Sequence, residues 1–215
     1  RLAEMVGGTQ KSAMSEVDCA VQRLFTYAAY ADKYGGAVQE TELRGLTIAL
    51  HEPLGVIGIA CPDENPLLAF VSTIAPAIAR GNSVIVIPSP AHPLSATDFY
   101  QVLDTSDVPG GVVNIVTGER DHLVKTLADH DDVDGLWYFG SAEGSQQVEL
   151  RSATNMKRTR VTYGVALDWF DDAQGAGEAF LHDATQVKNI WVPTGVCVLL
   201  PPIVAAADDF LSAVF

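Results

Sequence analysis

The sequence predicts an α/β fold, a parallel sheet covered by helices on both faces, with a separate antiparallel flap. Three observations carry this. Short, continuous apolar runs alternate with helical segments from Val56 to Arg151. Glycine and proline turns such as Gly81-Asn82 and Pro109-Gly-Gly111 punctuate the changes. After Asp171 the rhythm stops, and a lone strand-like segment ending in Pro193 follows. Strands that are apolar on both faces and separated by helices belong to a parallel sheet with both faces covered. Right-handed crossovers then give a doubly wound, Rossmann-like domain.

The elements follow in order. Ser15-Glu-Val-Asp18 reads as a helix start with Ser15 as the cap. Val17, Val21, Leu24 and Ala28 share one face at helical spacing, and Gly35-Gly36 ends the helix. Thr41–His51 reads as extended, with Leu46, Ile48 and Leu50 alternating against Thr47 and Ala49. Val56–Ala60 is a buried strand, and the almost wholly apolar Pro66–Ala79 a buried helix. Strands at Ser83–Ile87, Val112–Val116 and Gly135–Phe139 alternate with helices at Leu94–Leu103, Asp121–Ala128 and Ser141–Arg151. Val165–Phe170 is expected as a fifth strand, and Gln174-Gly-Ala-Gly177 as a loop. Val187–Pro193 is expected to pair antiparallel with Thr41–His51. Such a pair is either a protective flap or an edge open to another chain. The expected division is a helical segment over 1–40, a flap strand over 41–51, the Rossmann-like domain over 52–173, a second flap strand over 174–195 and a segment of unassigned role over 196–215.

Composition bounds the function. The chain has 215 residues, 48% hydrophobic and 19% charged, which is globular rather than disordered composition. Thirteen Lys and Arg against 27 Asp and Glu leave a net charge of −14. Nucleic acid and anionic membranes need basic patches, so both are disfavoured as partners. Cys19, Cys61 and Cys197 are widely spaced, without a CxxC pair or a Cys/His cluster. No metal site is expected, and a reducing, cytoplasmic compartment is. No apolar run approaches the roughly 20 residues that cross a bilayer. There is no secretory signal, and the chain opens on Arg1 rather than Met, which predicts a piece of a longer protein. The five histidines read as solvated surface residues. Trp137, Trp169 and Trp191 read as strand residues in the core or at an interface.

Six segments in order resemble the aldehyde dehydrogenase superfamily. They are Glu52-Pro-Leu-Gly55, Ala75-Pro-Ala77 with Gly81-Asn82, Pro88-Ser89, Pro93-Leu-Ser95, Pro109-Gly-Gly-Val-Val-Asn-Ile-Val-Thr-Gly118, and Gly140-Ser141. The resemblance runs from Pro53 to Ser145, and more weakly to Ala173. It implies a cofactor domain, a catalytic domain with a cysteine nucleophile and a strand-built oligomerisation flap.

The functional positions that the resemblance implies are altered. The family's proline-tryptophan-asparagine-aromatic-proline segment aligns with Pro62-Asp63-Glu64-Asn65-Pro66. Its asparagine donates to the substrate oxyanion, whereas an ionised Glu64 only accepts. Asn65 serves only if the register slips by one. The lysine-proline-serine-glutamate segment, which holds the cofactor ribose, aligns with Ile87-Pro88-Ser89-Pro90, where Ile87 and Pro90 offer no side-chain hydrogen bond. The glycine-serine-threonine-x-x-glycine segment aligns with Gly140-Ser-Ala-Glu-Gly-Ser145. Gly140 and Ser141 persist there as a vestigial cofactor site or as a simple helix cap. The general base aligns with Thr162 in Thr162-Tyr-Gly-Val165, and threonine has no useful pKa for that work.

The chain most resembles the degenerate C-terminal domain of the two-domain, sixteenth-family aldehyde dehydrogenases. That implies a non-catalytic domain with a structural and oligomerising role inside a larger enzyme. Its partners would be an N-terminal dehydrogenase domain, or a second copy, joined through Thr41–His51 and Val187–Pro193. No cofactor is expected, NAD if any. Two rival readings remain. One is a fragment of an active NAD(P)-dependent dehydrogenase with Cys197 as nucleophile. The other is a nucleotide-binding regulatory module working through Gly140 and Ser141.

Overall fold

The computed structural model of the protein describes residues 1–40 and 45–193. A short helix, α1 (Leu2–Val6), leads into the long helix α2 (Gln10–Lys33). The cap of α2 is Thr9, whose side chain accepts from the Ser12 amide, so the helix begins ahead of the expected cap at Ser15. Its inward face is also different. Glu16, Ala20, Arg23 and Tyr27 are buried, whereas Val21 is exposed and Val17 and Leu24 are half-buried. Long-range partners explain this. The Glu16 carboxylate accepts from the Leu67 and Leu68 amides, and Arg23 donates to Asp172 and to the Trp169 carbonyl. A charged group is tolerated inside when it is paired and hydrogen-bonded.

The strand β1 (Ala37–Gln39), which the sequence pattern did not announce, precedes β2 (Gly45–Pro53). Strand and helix then alternate: β3 (Val56–Ala60), α3 (Pro66–Ala79), β4 (Ser83–Ile87), α4 (Leu94–Asp104), β5 (Val113–Ile115), α5 (Arg120–Asp129), β6 (Gly135–Tyr138), α6 (Ala142–Ser152) and β7 (Arg158–Val161). They make a five-stranded parallel sheet in the order β5-β4-β3-β6-β7. Side chains alternate across it. Ile57, Ile59, Val84, Val86 and Trp137 face one way and pack with Leu68, Phe70 and Ile74 of α3. Ala60, Ile87, Leu136 and Tyr138 face the other way and pack with Val124 and Ala128 of α5 and Val148 of α6.

The fifth strand is therefore Arg158–Val161, and the expected strand at Val165–Phe170 is irregular. The sequence misleads because β7 is an edge strand carried by arginines. Arg158 donates to the Thr185 carbonyl, and Arg160 pairs with Asp183 while its guanidinium lies 4.3 Å from the Phe180 ring. The Val165–Phe170 stretch is apolar for another reason. Its Trp169 is buried, with ring centroids 5.4 Å from Phe139 and 6.2 Å from Phe180.

A short helix, α7 (Asp172–Gly175), overlaps the stretch expected as loop at Gln174–Gly177, and α8 (Glu178–Asp183) and β8 (Thr185–Pro193) follow. One side chain joins three of these segments within the larger compact unit, residues 1–34 and 52–186. Buried Asn82 accepts from the Gly55 amide and donates to the carbonyls of Ala77 and Ala184.

Among the described residues, the second unit comprises 35–40, 45–51 and 187–193. Its strands form a small antiparallel sheet in the order β1-β2-β8, with Ala37 opposite Ala49 and Gln39 opposite Thr47. Gly45 lies against the backbone of Val192. Along β8, Val187 and Trp191 are exposed and Ile190 is half-buried.

Candidate functional site

In a doubly wound sheet, ligands bind outside the carboxyl ends of the strands where the strand order reverses. That point lies between β3 and β6, whose crossovers run in opposite directions. A cleft of about 260 Å³ opens there, lined by the turn after β3, the turn after β6 and the chain beyond β7. Glu64, Gly140, Ser141 and Thr162 all line it. The fold thus brings together the positions that the resemblance marks for oxyanion donor, phosphate turn and base. Cys197 lies outside the described residues.

Each position has a local account. Glu64 is exposed in the turn before α3. Asn65 is not among the cleft residues; it begins α3 with a left-handed backbone, φ 47°, and its carbonyl accepts from Ala69. Ser141 caps α6, accepting from the Gly144 amide at 3.0 Å. Ile87 is buried in the core on the α5 and α6 side, and Pro90 is exposed.

Sequence reasoning missed Asp63, Arg120, Tyr138 and Trp169. Arg120 stands in the first turn of α5, donates to the Cys61 carbonyl at 2.7 Å and pairs with Asp63 at 3.2 Å. Asp63 accepts in turn from the Ser89 hydroxyl at 2.6 Å. A cation in a first helical turn opposes the helix dipole, and that was the available signal for Arg120. Tyr138 donates to Asp121 at 2.7 Å, and burial raises its pKa. Trp169 closes the cleft floor beside Phe139.

Cys61 directly follows β3 but is wholly buried, and burial pushes its thiol up to about 12 from an ordinary value near 9. It is no nucleophile at neutral pH. Because the folded pKa is raised, its contribution to stability is present below pH 9 and is lost as pH rises toward 12. The expected slope is about 1.4 kcal/mol per pH unit in that window. Urea unfolding at several alkaline pH values should show a shallower decline for Cys61→Ala than for the parent chain. Equal slopes would refute the assignment.

Among the described residues, no group of three or more His, Cys, Asp or Glu could hold a metal ion, and no helix is long and apolar enough to cross a membrane.

The strand order and the cleft at its reversal define a doubly wound, Rossmann-like domain. The chain belongs to the aldehyde dehydrogenase family, whose model matches residues 2–169. It is 34% identical over 161 residues to an aldehyde dehydrogenase of Agaricus bisporus, covering 74% of this chain and 32% of that protein. It is also 34% identical over 154 residues to the NADP/NAD-dependent aldehyde dehydrogenase PuuC of Escherichia coli, covering 71% and 31%. Among solved structures, betaine aldehyde dehydrogenase of Staphylococcus aureus in complex with NAD+ superimposes with a TM-score of 0.70 at 25% identity, covering 74% of this chain and 33% of that one. Lactaldehyde dehydrogenase from Escherichia coli gives the same TM-score and identity, covering 74% and 34%. The chain thus spans about a third of the length of the relatives it matches.

Proposed function

We propose that the chain is a non-catalytic aldehyde dehydrogenase domain with a structural and oligomerising role, like the degenerate C-terminal domain of the sixteenth family. The observation that carries this reading is the chemistry of the cleft. A carboxylate, Glu64, stands at the place of an oxyanion donor, and a hydroxyl, Thr162, at the place of the base. An acceptor-only group destabilises a developing oxyanion. The cysteines that the structure describes, Cys19 and Cys61, are free thiols, which supports a reducing, cytoplasmic setting.

The test is a dehydrogenase assay on the chain with aliphatic and aromatic aldehydes and NAD+ or NADP+. No reduced cofactor is expected above the rate without protein. Steady production that Cys197→Ala abolishes would establish the rival reading of an active fragment.

The structural role rests on the flap. An outer strand leaves backbone donors and acceptors unpaired along one side, and a second strand can add there. The partner would be an upstream dehydrogenase domain or a second copy. Sedimentation should show association that Ile190→Pro removes, because proline deletes a ladder donor. A well-folded monomer for both chains, without affinity for a dehydrogenase domain, would remove this role.

A further inference from the structure

The fold places a dinucleotide crevice between β3 and β6, so the residues present there can be tested against such a ligand. They do not fit it. Arg120 lines the crevice, and Tyr138 lines the neighbouring groove between α5 and α6. Arg120 reaches from α5 to the Cys61 carbonyl and Asp63, and Ser89 of the turn after β4 holds the far oxygen of Asp63. Tyr138, at the end of β6, places its phenol against the first turn of α6. A Cβ at Gly144 would stand 2.0 Å from the phenol oxygen, and one at Gly140 2.4 Å from it. The family's last glycine in this turn is here Ser145, and the glycine one residue earlier is the one that the phenol requires.

The helix starts are also engaged. Glu119 accepts from the amides of Asp121 and His122 on α5, and Ser141 accepts from Gly144 on α6. A pyrophosphate binds at helix starts through amides of this kind. Here it would also face the carboxylates of Glu119, Asp121 and Glu143, while the nearby cation Arg120 is already paired with Asp63. Like charges brought together at a binding site repel and oppose binding.

We propose that the chain's own side chains hold the groups a dinucleotide would need at this crevice and so exclude it: an Arg120 strap to Cys61 and Asp63, and beside it a Tyr138–Asp121 latch between β6 and α5. The chain has turned a ligand site into part of its own framework. This goes beyond loss of catalysis, since a catalytically dead domain can still bind nucleotide, and it is independent of the flap.

The test uses the whole chain and three readouts that need neither activity nor association. Calorimetry with millimolar NAD+, NADP+ and AMP is expected to show no binding, and Tm no rise with ligand. Low micromolar affinity for any of them would overturn the proposal. Tyr138→Phe and Asp121→Ala are each expected to lower Tm by roughly 3–6 °C, and the double variant by no more than the larger single change. Additive losses would overturn the latch. Arg120→Ala is expected to speed hydrogen exchange about tenfold in the first turn of α5 and around Asp63. Unchanged exchange would overturn the strap.

Discussion

Asn82→Leu is expected to lower folding stability by about 3–5 kcal/mol, because it removes the side-chain partners of the half-buried Gly55 amide and the buried Ala184 carbonyl. Asn82 is buried, with its amide oxygen 3.0 Å from the Gly55 nitrogen and its amide nitrogen 2.9 Å from the carbonyl oxygens of both Ala77 and Ala184. The Ala77 carbonyl keeps a second donor, the Asn82 backbone amide at 3.2 Å. The Gly55 amide and the Ala184 carbonyl lose the side-chain partners described above. Leucine matches asparagine in size but supplies no polar atom, so the loss is one of hydrogen bonding rather than of volume. Asn82→Asp separates the two halves of the bond set. It keeps an acceptor for Gly55 but sets a carboxylate against two carbonyls, and should be as damaging as leucine. Urea unfolding should show a lower midpoint with an unchanged slope. A loss under about 1 kcal/mol for Asn82→Leu would show that water serves these groups as well as the side chain does.

Gly81-Asn82 illustrates what the sequence does and does not disclose. As a turn between helix and strand it was legible, and as a shared family segment it helped to place the fold. That its side chain ties the turn before β3, the end of α3 and the residue after α8 together was not legible, because Ala184 lies far along the chain. The same division holds elsewhere. Strands such as β3 and β4, and the apolar helix α3, follow from continuous hydrophobicity, since a two-sided core leaves no room for polar residues. The β7 edge strand was hidden because Arg158 and Arg160 are anchored by partners more than 20 residues away. The apolar stretch Val165–Phe170 competed for the same role, while its Trp169 serves the floor of the cleft.

The candidate site shows the same pattern. Glu64, Gly140, Ser141 and Thr162 could be placed by alignment to a known order of segments, and the fold brings them to one cleft. Arg120 and Tyr138 could not, because their meaning depends on contacts. Arg120 reads as a cation at the edge of a helix start until its reach to Cys61 and Asp63 is seen. Tyr138 reads as one more apolar strand residue until its hydroxyl meets Asp121.

Glu16→Leu should destabilise the chain by about 3–5 kcal/mol, while Glu16→Gln should lose only about 1 kcal/mol. The reason lies at the start of α3, a helix buried along almost its whole length. Its early amides lack partners within the helix and need them from elsewhere. Pro66 has no N–H, Leu67 and Leu68 donate to one oxygen of Glu16 at 2.9 and 3.1 Å, and Ala69 donates to the Asn65 carbonyl. Asn65 itself makes no side-chain cap bond, so a residue from α2, 51 positions away from Leu67, caps the helix instead. The carboxylate also sits at the positive end of the helix dipole. Glutamine keeps an oxygen for the two amides but not the charge, whereas leucine strands both. This accounts for the charged residues on the inward face of α2, which lies one residue earlier than the face that hydrophobic periodicity marks at Val17, Val21 and Leu24. It also ties the N-terminal helix to the cleft, because Asp63 and Glu64 immediately precede the helix that Glu16 secures. In the leucine variant, hydrogen exchange should therefore quicken at Leu67 and Leu68 and also at Asp63 and Glu64. Equal stability for the glutamine and leucine variants would mean that Glu16 acts by filling space, and the capping account would fall.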